Sequence, residues 1–162
     1  MNDRDANDRD ANDAAVPDIE VRDVEVLVIG AGQAGLAAAY FLTQRGSVPD
    51  DEFVVLDANH AAGGAWQHRW RSLSVDAVHG VHALPGMGFE APEGDSPARE
   101  IVAAYFDRYE RRFELPVRRP VAVEEVHNDP TDDPTDDTSH AGRRLLVRTD
   151  AGTWRTLSLI HI

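Results

Sequence analysis

The sequence of 162 residues contains no cysteine, and its 16 basic residues are all arginine. Without cysteine the chain has no disulfides, no thiolate metal ligands and no dithiol redox chemistry. No apolar run reaches 18 residues, which excludes a transmembrane helix, so we expect no membrane span. The N-terminal residues are acidic and polar rather than apolar. We therefore expect no secretory signal and a cytoplasmic location.

Basic charge is also scarce: 29 acidic residues give a net charge of −13. Such a chain is a poor partner for nucleic acid, which is bound through basic surfaces. Most of the net negative charge lies in residues 1–23 and 128–140. The first segment repeats Asn-Asp-Arg-Asp-Ala, and the second repeats Asp-Pro-Thr-Asp. Both segments are mainly polar and have few apolar residues to bury, so we predict that both are disordered. The folded domain is expected to span residues 24–156.

The first half of this domain reads as a strand, a helix and a second strand. Residues 24–29 form a mostly β-branched run that is typical of a buried parallel strand. Residues 36–45 have helix-forming composition, and Gly46 follows them as a C-terminal stop. A second buried strand is predicted over residues 53–56. A β-α-β unit of this kind indicates an α/β fold with a parallel sheet.

The second half predicts one more helix and several short strands. Ser96 is a predicted N-cap, with Pro97 at the first helical position. Aromatic and aliphatic residues recur at helical spacing as far as Phe113, and we expect this stripe to face the core. Residues 117–126 read as extended. Two further strands, over 145–147 and 154–159, predict a small antiparallel meander.

The chemistry is concentrated in the turn after the first strand, which has a Gly-x-Gly-x-x-Gly pattern. Its residues are Gly30, Ala31, Gly32, Gln33, Ala34 and Gly35. In such a turn the first glycine permits the tight bend, the second admits a pyrophosphate, and the third allows close packing of helix and strand. Asp57 stands at the end of the next strand, about 20 residues further on, where a carboxylate accepts hydrogen bonds from ribose hydroxyls. The fold is therefore predicted to be Rossmann-like and to bind a dinucleotide.

The pattern alone leaves the function open. An NAD(P)-dependent dehydrogenase and a non-catalytic nucleotide-binding module both use such a turn. Other polar clusters are weaker signals. His79 and His82 lack a third ligand at recognisable spacing, so we expect no metal site. Arg118 and Arg119 are expected on a solvated face, because arginine is usually exposed.

A second glycine block makes the prediction more specific. The stretch Gly63-Gly64-Ala65-Trp66-Gln67-His68-Arg69-Trp70 follows Asp57, with Leu84-Pro85-Gly86 further on and Phe113-Glu114-Leu115-Pro116-Val117 after the second helix. This arrangement resembles the flavin-dependent monooxygenases. It is most similar to a bacterial branch often labelled as flavoproteins involved in potassium transport. The resemblance extends over about residues 24–156.

The resemblance implies a chemistry and a set of cofactor-binding residues. Such enzymes use NADPH to reduce a bound FAD and then transfer one atom of dioxygen to a small-molecule substrate. Residues 30–35 would hold the FAD pyrophosphate, and Asp57 with Ala58 would lie at the adenosine ribose. Gly64, Ala65 and Trp66 would line the path toward the flavin, and Arg69 and Trp70 would extend it. Val123 would contact adenine through its backbone. No catalytic residue is implied within the chain.

The family pattern continues with segments that this sequence lacks. It includes a strand ending in Ala-Thr-Gly and a second glycine-rich motif for NADPH. Instead, residues 157–162 coincide with the translation of a transposon end used in sequencing libraries, and we expect them to be non-native. On this interpretation the domain is incomplete at its C-terminus. We then expect an unpaired sheet edge, weak FAD retention and no catalytic activity from the chain alone.

Overall fold

The computed structural model of the chain describes residues 20–77, 81–90, 96–131 and 143–162. Two helices and a six-stranded sheet organise this part of the chain. The helices are α1 (Gln33–Gln44) and α2 (Ala98–Arg112), and two short 3₁₀ helices cover Gly64–His68 and Val75–Ala77. The strands are β1 (Val21–Ile29), β2 (Phe53–Leu56), β3 (Val117–Arg118), β4 (Val123–Asn128), β5 (Leu145–Thr149) and β6 (Gly152–His161).

The sheet has the order β3-β2-β1-β6-β5-β4 and is half parallel, half antiparallel. β1 lies parallel to both β2 and β6, and β3 lies parallel to β2. β4, β5 and β6 form an antiparallel meander. The predicted class, an α/β Rossmann-like fold with a parallel sheet and a meander, is confirmed.

Two apolar cores stabilise the sheet, one on each face. On the first face, fully buried Val28 and Val55 pack with Leu36 of α1 and Phe106 of α2. On the second face, Leu27, Val54 and Leu56 form a cluster with Val147 and Trp154 of the meander. Strand residues on both faces of β1 and β2 are therefore removed from water, which explains their nearly continuous apolar sequence.

The helix ends follow the sequence signals, but both helix starts differ from the prediction. α1 begins at Gln33, three residues before the predicted start. α1 ends at Gln44, and Gly46 adopts a φ of +93°, the left-handed conformation that favours glycine after a helix. Pro97 is the N-cap of α2 rather than its first helical residue, so the prediction for Ser96 and Pro97 is wrong by one position. The proline fits there because its φ of −60° and ψ of 122° are extended, as an N-cap requires.

The aromatic stripe of α2 does more than fill the core. Tyr105 and Tyr109 are fully buried, as the helical spacing predicts. The Tyr105 hydroxyl accepts a hydrogen bond from the Leu84 N–H at 2.7 Å and donates to the Met87 carbonyl at 2.7 Å. The Tyr109 hydroxyl donates to the Pro85 carbonyl at 2.8 Å, and burial raises the pKa of this phenol well above its usual range. The two hydroxyls thus fix the turn at residues 84–87.

Each of the two segments predicted to be disordered contains ordered residues at an edge that the structure describes. β1 begins at Val21, inside the predicted N-terminal segment. Asp129 lies within the predicted acidic loop, yet its side chain is fully buried and accepts a hydrogen bond from Arg155 Nε at 2.6 Å. Thr131 donates to the same carboxylate from its backbone N–H and its hydroxyl. Residues 1–19 and 132–142 lie outside the described residues, so disorder there stays a prediction.

The position beside β1 is filled, and the expectation of an unpaired edge there is wrong. β6 extends to His161 and pairs with β1 along its length, including Leu27 with Leu159 and Ile29 with His161. The end of the chain is apolar and β-branched enough to continue the strand. The non-native origin of residues 157–162 stays a prediction. Within the described ranges, no helix combines the length and apolar character that crossing a membrane would require.

The buried Asp129 carboxylate provides a test of how the meander is held. We expect Asp129→Ala to lower the free energy of unfolding by about 1–3 kcal/mol, because Arg155 and Thr131 lose a buried acceptor. Asp107→Ala is the matched control, since the exposed Asp107–Arg111 pair contributes about 0.5 kcal/mol or less. Urea denaturation measures both values, and equal losses would contradict the account.

The same variant should change the acid limb of the stability curve. Hydrogen bonds from Thr131, and then the charge of Arg155, lower the pKa of Asp129 below 3.8. A carboxylate with a lowered pKa stabilises the fold above its unfolded pKa and loses this contribution as the pH falls through its folded pKa. The difference between wild type and Asp129→Ala should therefore stay constant down to about pH 4 and shrink below it.

Candidate functional site

The glycine-rich turn lies between β1 and α1, beside the carboxyl end of β2. The Gly30 N–H donates to the Leu56 carbonyl at 2.8 Å, and Gly30 has a φ of +98° that favours glycine. A Cβ at Gly35 would lie 1.9 Å from the Gly30 carbonyl oxygen. Gly35 therefore allows α1 to pack directly on the end of β1, as the motif predicts.

Gly32 has no comparable role within the protein. It is the N-cap of α1, with a φ of −81° and a ψ of −171°, which any residue can adopt. A Cβ at Gly32 would meet nothing within 4 Å. Neither backbone conformation nor packing explains a glycine here. The residue leaves open space at a helix N-terminus, where N–H groups and the helix dipole favour an anion.

The second glycine pair packs against this turn. Gly64 is buried and has a φ of +50°. A Cβ built on Gly64 would lie 2.9 Å from the Gly32 Cα. A Cβ at Gly63 would lie 2.7 Å from the Ala103 Cβ on α2. The two glycines therefore let the first 3₁₀ helix fit between α2 and the glycine-rich turn, and the cofactor-binding role of Gly64 stays a prediction.

Asp57 lies next to the turn, and hydrogen bonds fix both its backbone and its side chain. Its N–H donates to the Arg118 carbonyl at 3.1 Å, and its carbonyl accepts from the Val121 N–H at 2.9 Å. The residue is 5% exposed. Its Oδ2 accepts a hydrogen bond from Arg119 Nε at 2.8 Å, and its Oδ1 accepts from Asn59 Nδ2 at 2.9 Å.

Arg119 is not on a solvated face, so that prediction is wrong for this residue. Its two terminal nitrogens donate to the Glu110 carboxylate at 2.6 and 2.8 Å. The Arg119 side chain is 13% exposed and that of Glu110 is 12% exposed. Burial alone would lower the pKa of Arg119, but hydrogen bonds and charges of Glu110 and Asp57 outweigh it and raise the pKa. Arg118, by contrast, is half exposed and pairs with Asp50.

A hydrogen-bonded bridge joins Asp57 to the first 3₁₀ helix. Asn59, which donates to Asp57, lies 2.7 Å from His68 Nε2 through its Oδ1. Neither Asn59 nor Glu110 belongs to a sequence motif that indicates this site. Only the position of Asn59 two residues after Asp57 could have suggested it, as a residue able to form an Asx-type contact.

The remaining predicted residues are spread over a wider area. Ala58 and Ala65 are exposed. Trp66 is half-buried against the first core, and the Arg69 guanidinium lies 5.9 Å from its ring centroid. Trp70 is 67% exposed. These roles in cofactor binding stay predictions.

Val123 and His82 lie on other segments of the chain than the glycine-rich turn. Val123 begins β4, and its side chain packs against the second core. His79 lies outside the described residues, and His82 is exposed. Among residues 20–77, 81–90, 96–131 and 143–162, no group of three or more metal-ligating side chains comes together.

The fold and this turn are typical of Rossmann-like nucleotide-binding domains, and comparison with protein families finds the same likeness. A family model described as "NAD(P)-binding Rossmann-like domain" matches residues 28–105. An uncharacterised oxidoreductase, CzcO of Bacillus subtilis, is 36% identical over 92 residues, which are 57% of this chain and 26% of that protein. A CzcO-like oxidoreductase of Geobacillus kaustophilus is 35% identical over 92 residues, 57% of this chain and 25% of that protein. The chain thus spans about a quarter of these relatives.

Solved structures make the relationship more specific. A flavin-containing monooxygenase from Stenotrophomonas maltophilia superposes with a TM-score of 0.67 and 38% identity, over 88% of this chain and 38% of that one. Cyclohexanone monooxygenase superposes with a TM-score of 0.63 at 17% identity, over 88% of this chain and 26% of that one, a likeness of fold alone. The predicted resemblance to flavin-dependent monooxygenases is confirmed, and the related proteins are oxidoreductases.

The contact between Gly35 and Gly30 yields a direct test of the turn. We expect Gly35→Ala to destabilise the chain by about 1–3 kcal/mol or more, because the new methyl group overlaps a backbone carbonyl that cannot rotate away. Gly88→Ala is the control, since a Cβ there meets nothing within 4 Å. Thermal and urea unfolding of the two variants give the comparison. A Gly35→Ala variant as stable as Gly88→Ala would contradict the packing described.

Proposed function

We propose that this chain is the FAD-binding part of an NAD(P)H-dependent flavoprotein monooxygenase or closely related oxidoreductase. The observation that carries the proposal is Gly32. This glycine at the N-terminus of α1 serves no need of the protein's own backbone or packing. A pyrophosphate that approaches the helix N-terminus does explain it, because any side chain at this position would occupy the ligand's space.

The surrounding residues fit an adenine dinucleotide. The N–H groups at the start of α1 can bind the pyrophosphate, and the Asp57 carboxylate stands one strand away for the ribose hydroxyls. Asp57 already accepts from Arg119 and Asn59, but an ionised carboxylate has about four lone-pair positions and can accept further hydrogen bonds. Gly64, packed on Gly32, starts the segment proposed to lead toward the flavin ring through Ala65 and Trp66.

Bound FAD would supply the redox chemistry, and the protein's part is to hold and orient it. NADPH as the electron source, dioxygen, a small-molecule substrate and a cytoplasmic location are proposals for the whole protein. They rest on the monooxygenase relatives, of which this chain matches a part. The resemblance of the second glycine block to flavoproteins, together with the flavin-containing monooxygenase at 38% identity, favours FAD over a simple NAD(P)-dependent dehydrogenase.

Gly32→Val separates ligand binding from folding. We expect this variant to lose about 1 kcal/mol of unfolding free energy or less, because a Cβ at Gly32 meets nothing within 4 Å and valine is a poorer N-cap than glycine. Its affinity for FAD should fall by at least about tenfold, measured by equilibrium flavin-fluorescence titration of the chain. Gly88→Val serves as a control that should change neither quantity. Wild-type affinity in Gly32→Val would contradict a pyrophosphate at this turn.

The chain alone should bind FAD weakly and lack turnover. We expect FAD binding to be measurable at equilibrium but lost during gel filtration, because the proposed NADPH and substrate segments are not among its residues. Mixing the chain with FAD and NADPH in air should not increase the rate of NADPH oxidation above that of free FAD. The absorbance at 340 nm measures this rate. A yellow, NADPH-oxidising peak from gel filtration would refute the expectation.

A further inference from the structure

The ion triad of Asp57, Arg119 and Glu110 lies where the adenosine ribose is proposed to bind. Each nitrogen of the Arg119 guanidinium donates to a carboxylate: Nε to Asp57 at 2.8 Å, and the terminal nitrogens to Glu110 at 2.6 and 2.8 Å. All three side chains are at least 87% removed from solvent, given exposures of 13%, 12% and 6%. The triad carries two negative charges and one positive charge.

An acid and an arginine have opposite effects at this position. A carboxylate at the end of the second strand hydrogen-bonds a ribose 2′-hydroxyl, whereas a nearby arginine accommodates a 2′-phosphate. Here both groups are adjacent, so the sequence of β2 alone does not settle which ligand is accepted. Glu110 determines whether a 2′-hydroxyl or a 2′-phosphate is accepted. It accepts hydrogen bonds from both terminal nitrogens of Arg119 and gives the triad a net negative charge.

We infer that Glu110 and Arg119 determine the specificity of the ribose site: they make it accept adenosine with a free 2′-hydroxyl and exclude adenosine with a 2′-phosphate. Arg119 positions the Asp57 carboxylate for the hydroxyl, and Glu110 keeps the guanidinium from binding a phosphate. This inference rests on the proposed dinucleotide site. It gives the site a class of ligand, namely adenine dinucleotides without a 2′-phosphate, which includes FAD and excludes NADPH.

Under the proposed reaction, excluding a 2′-phosphate keeps NADPH out of the FAD site. FAD and NADPH share an adenosine diphosphate half, and both would be present in the same cell. They differ at the 2′-position of the adenosine ribose. A first site that bound NADPH would be blocked by the electron donor, so a buried negative charge at the 2′-position favours correct loading by repelling the phosphate.

The test compares two probes that differ only in the 2′-phosphate, ADP-ribose and 2′-phospho-ADP-ribose. Isothermal titration of the complete chain should show a clear preference of wild type for ADP-ribose. In Glu110→Gln, which keeps a hydrogen-bond acceptor but removes the charge, the preference should fall by at least about tenfold. Glu100→Gln is the matched control on the same helix, because Glu100 is half exposed and pairs with Arg71. It should keep the wild-type preference.

Arg119→Gln provides a second variant with the opposite expectation, and it covers the case in which Glu110→Gln fails to fold. Without the guanidinium, ADP-ribose should bind several-fold more weakly, and the preference against the 2′-phosphate should increase, because Asp57 and Glu110 then act without a neutralising cation. If the triad were only structural, each variant would weaken both probes equally, and that result would overturn the inference. If wild type bound neither probe, the proposed dinucleotide site would fail, and the inference with it.

Discussion

The site depends on one close backbone contact, in which α1 packs on the end of β1 at Gly35 and Gly30. A methyl group at Gly35 would lie 1.9 Å from a carbonyl oxygen, so this approach is possible only without a side chain. The contact points the N-terminus of α1 into the space beside β2, and Gly30 bonds to Leu56 there. The position of the helix dipole, the opening at Gly32 and the proximity of Asp57 all follow from this geometry.

α2 supports the site from behind. Ala103 packs against the Gly63 backbone, and Glu110 forms an ion pair with Arg119. Tyr105 and Tyr109 form hydrogen bonds with the turn at residues 84–87. One helix thus fixes the second glycine pair, a long connecting segment and the environment of Asp57. Buried tyrosines suit this task because their rings fill the core while their hydroxyls bond to carbonyls that would otherwise be unpaired.

The parallel half of the fold and the glycine-rich turn could be predicted from the sequence, because their signals are local. Residues 24–29 and 53–56 are continuous apolar runs, and the spacing from Gly30 to Asp57 is set by a single β-α-β unit. The same holds for the buried face of α2, where the aromatic residues recur at helical spacing. These features need no knowledge of distant contacts.

The ion triad could not be predicted, because its members come from three separate elements. Arg119 follows a strand of two residues, Val117–Arg118, which is too short to have a sequence signature and places the guanidinium beside Asp57 only through pairing with β2. Asp129 was missed for a related reason. Its surroundings in the sequence are polar and repetitive, but Arg155, 26 residues away, provides a partner that makes burial favourable.

Composition is therefore a poor guide at the edges of the segments predicted to be disordered, because contacts with distant residues order Val21 in β1 and Asp129 beside Arg155. The same reasoning applies to β6. Residues 157–161 continue the predicted strand, and Leu157, Leu159 and Ile160 supply enough apolar character for it to pair with β1, whatever their origin. Local pattern predicts that a strand forms, and tertiary pairing decides where it lies in the sheet.

The most direct test of the account is a ¹H–¹⁵N NMR titration of the complete chain with FAD. We predict that the shifted signals will be the backbone amides of Gly30–Gly35 and Asp57–Asn59, together with the side-chain Nε–H of Arg119. This pattern would place the pyrophosphate at the N-terminus of α1 and the ribose at Asp57. Shifts confined to other parts of the molecule, or no shifts at saturating FAD, would contradict the central claim that this turn binds a flavin dinucleotide.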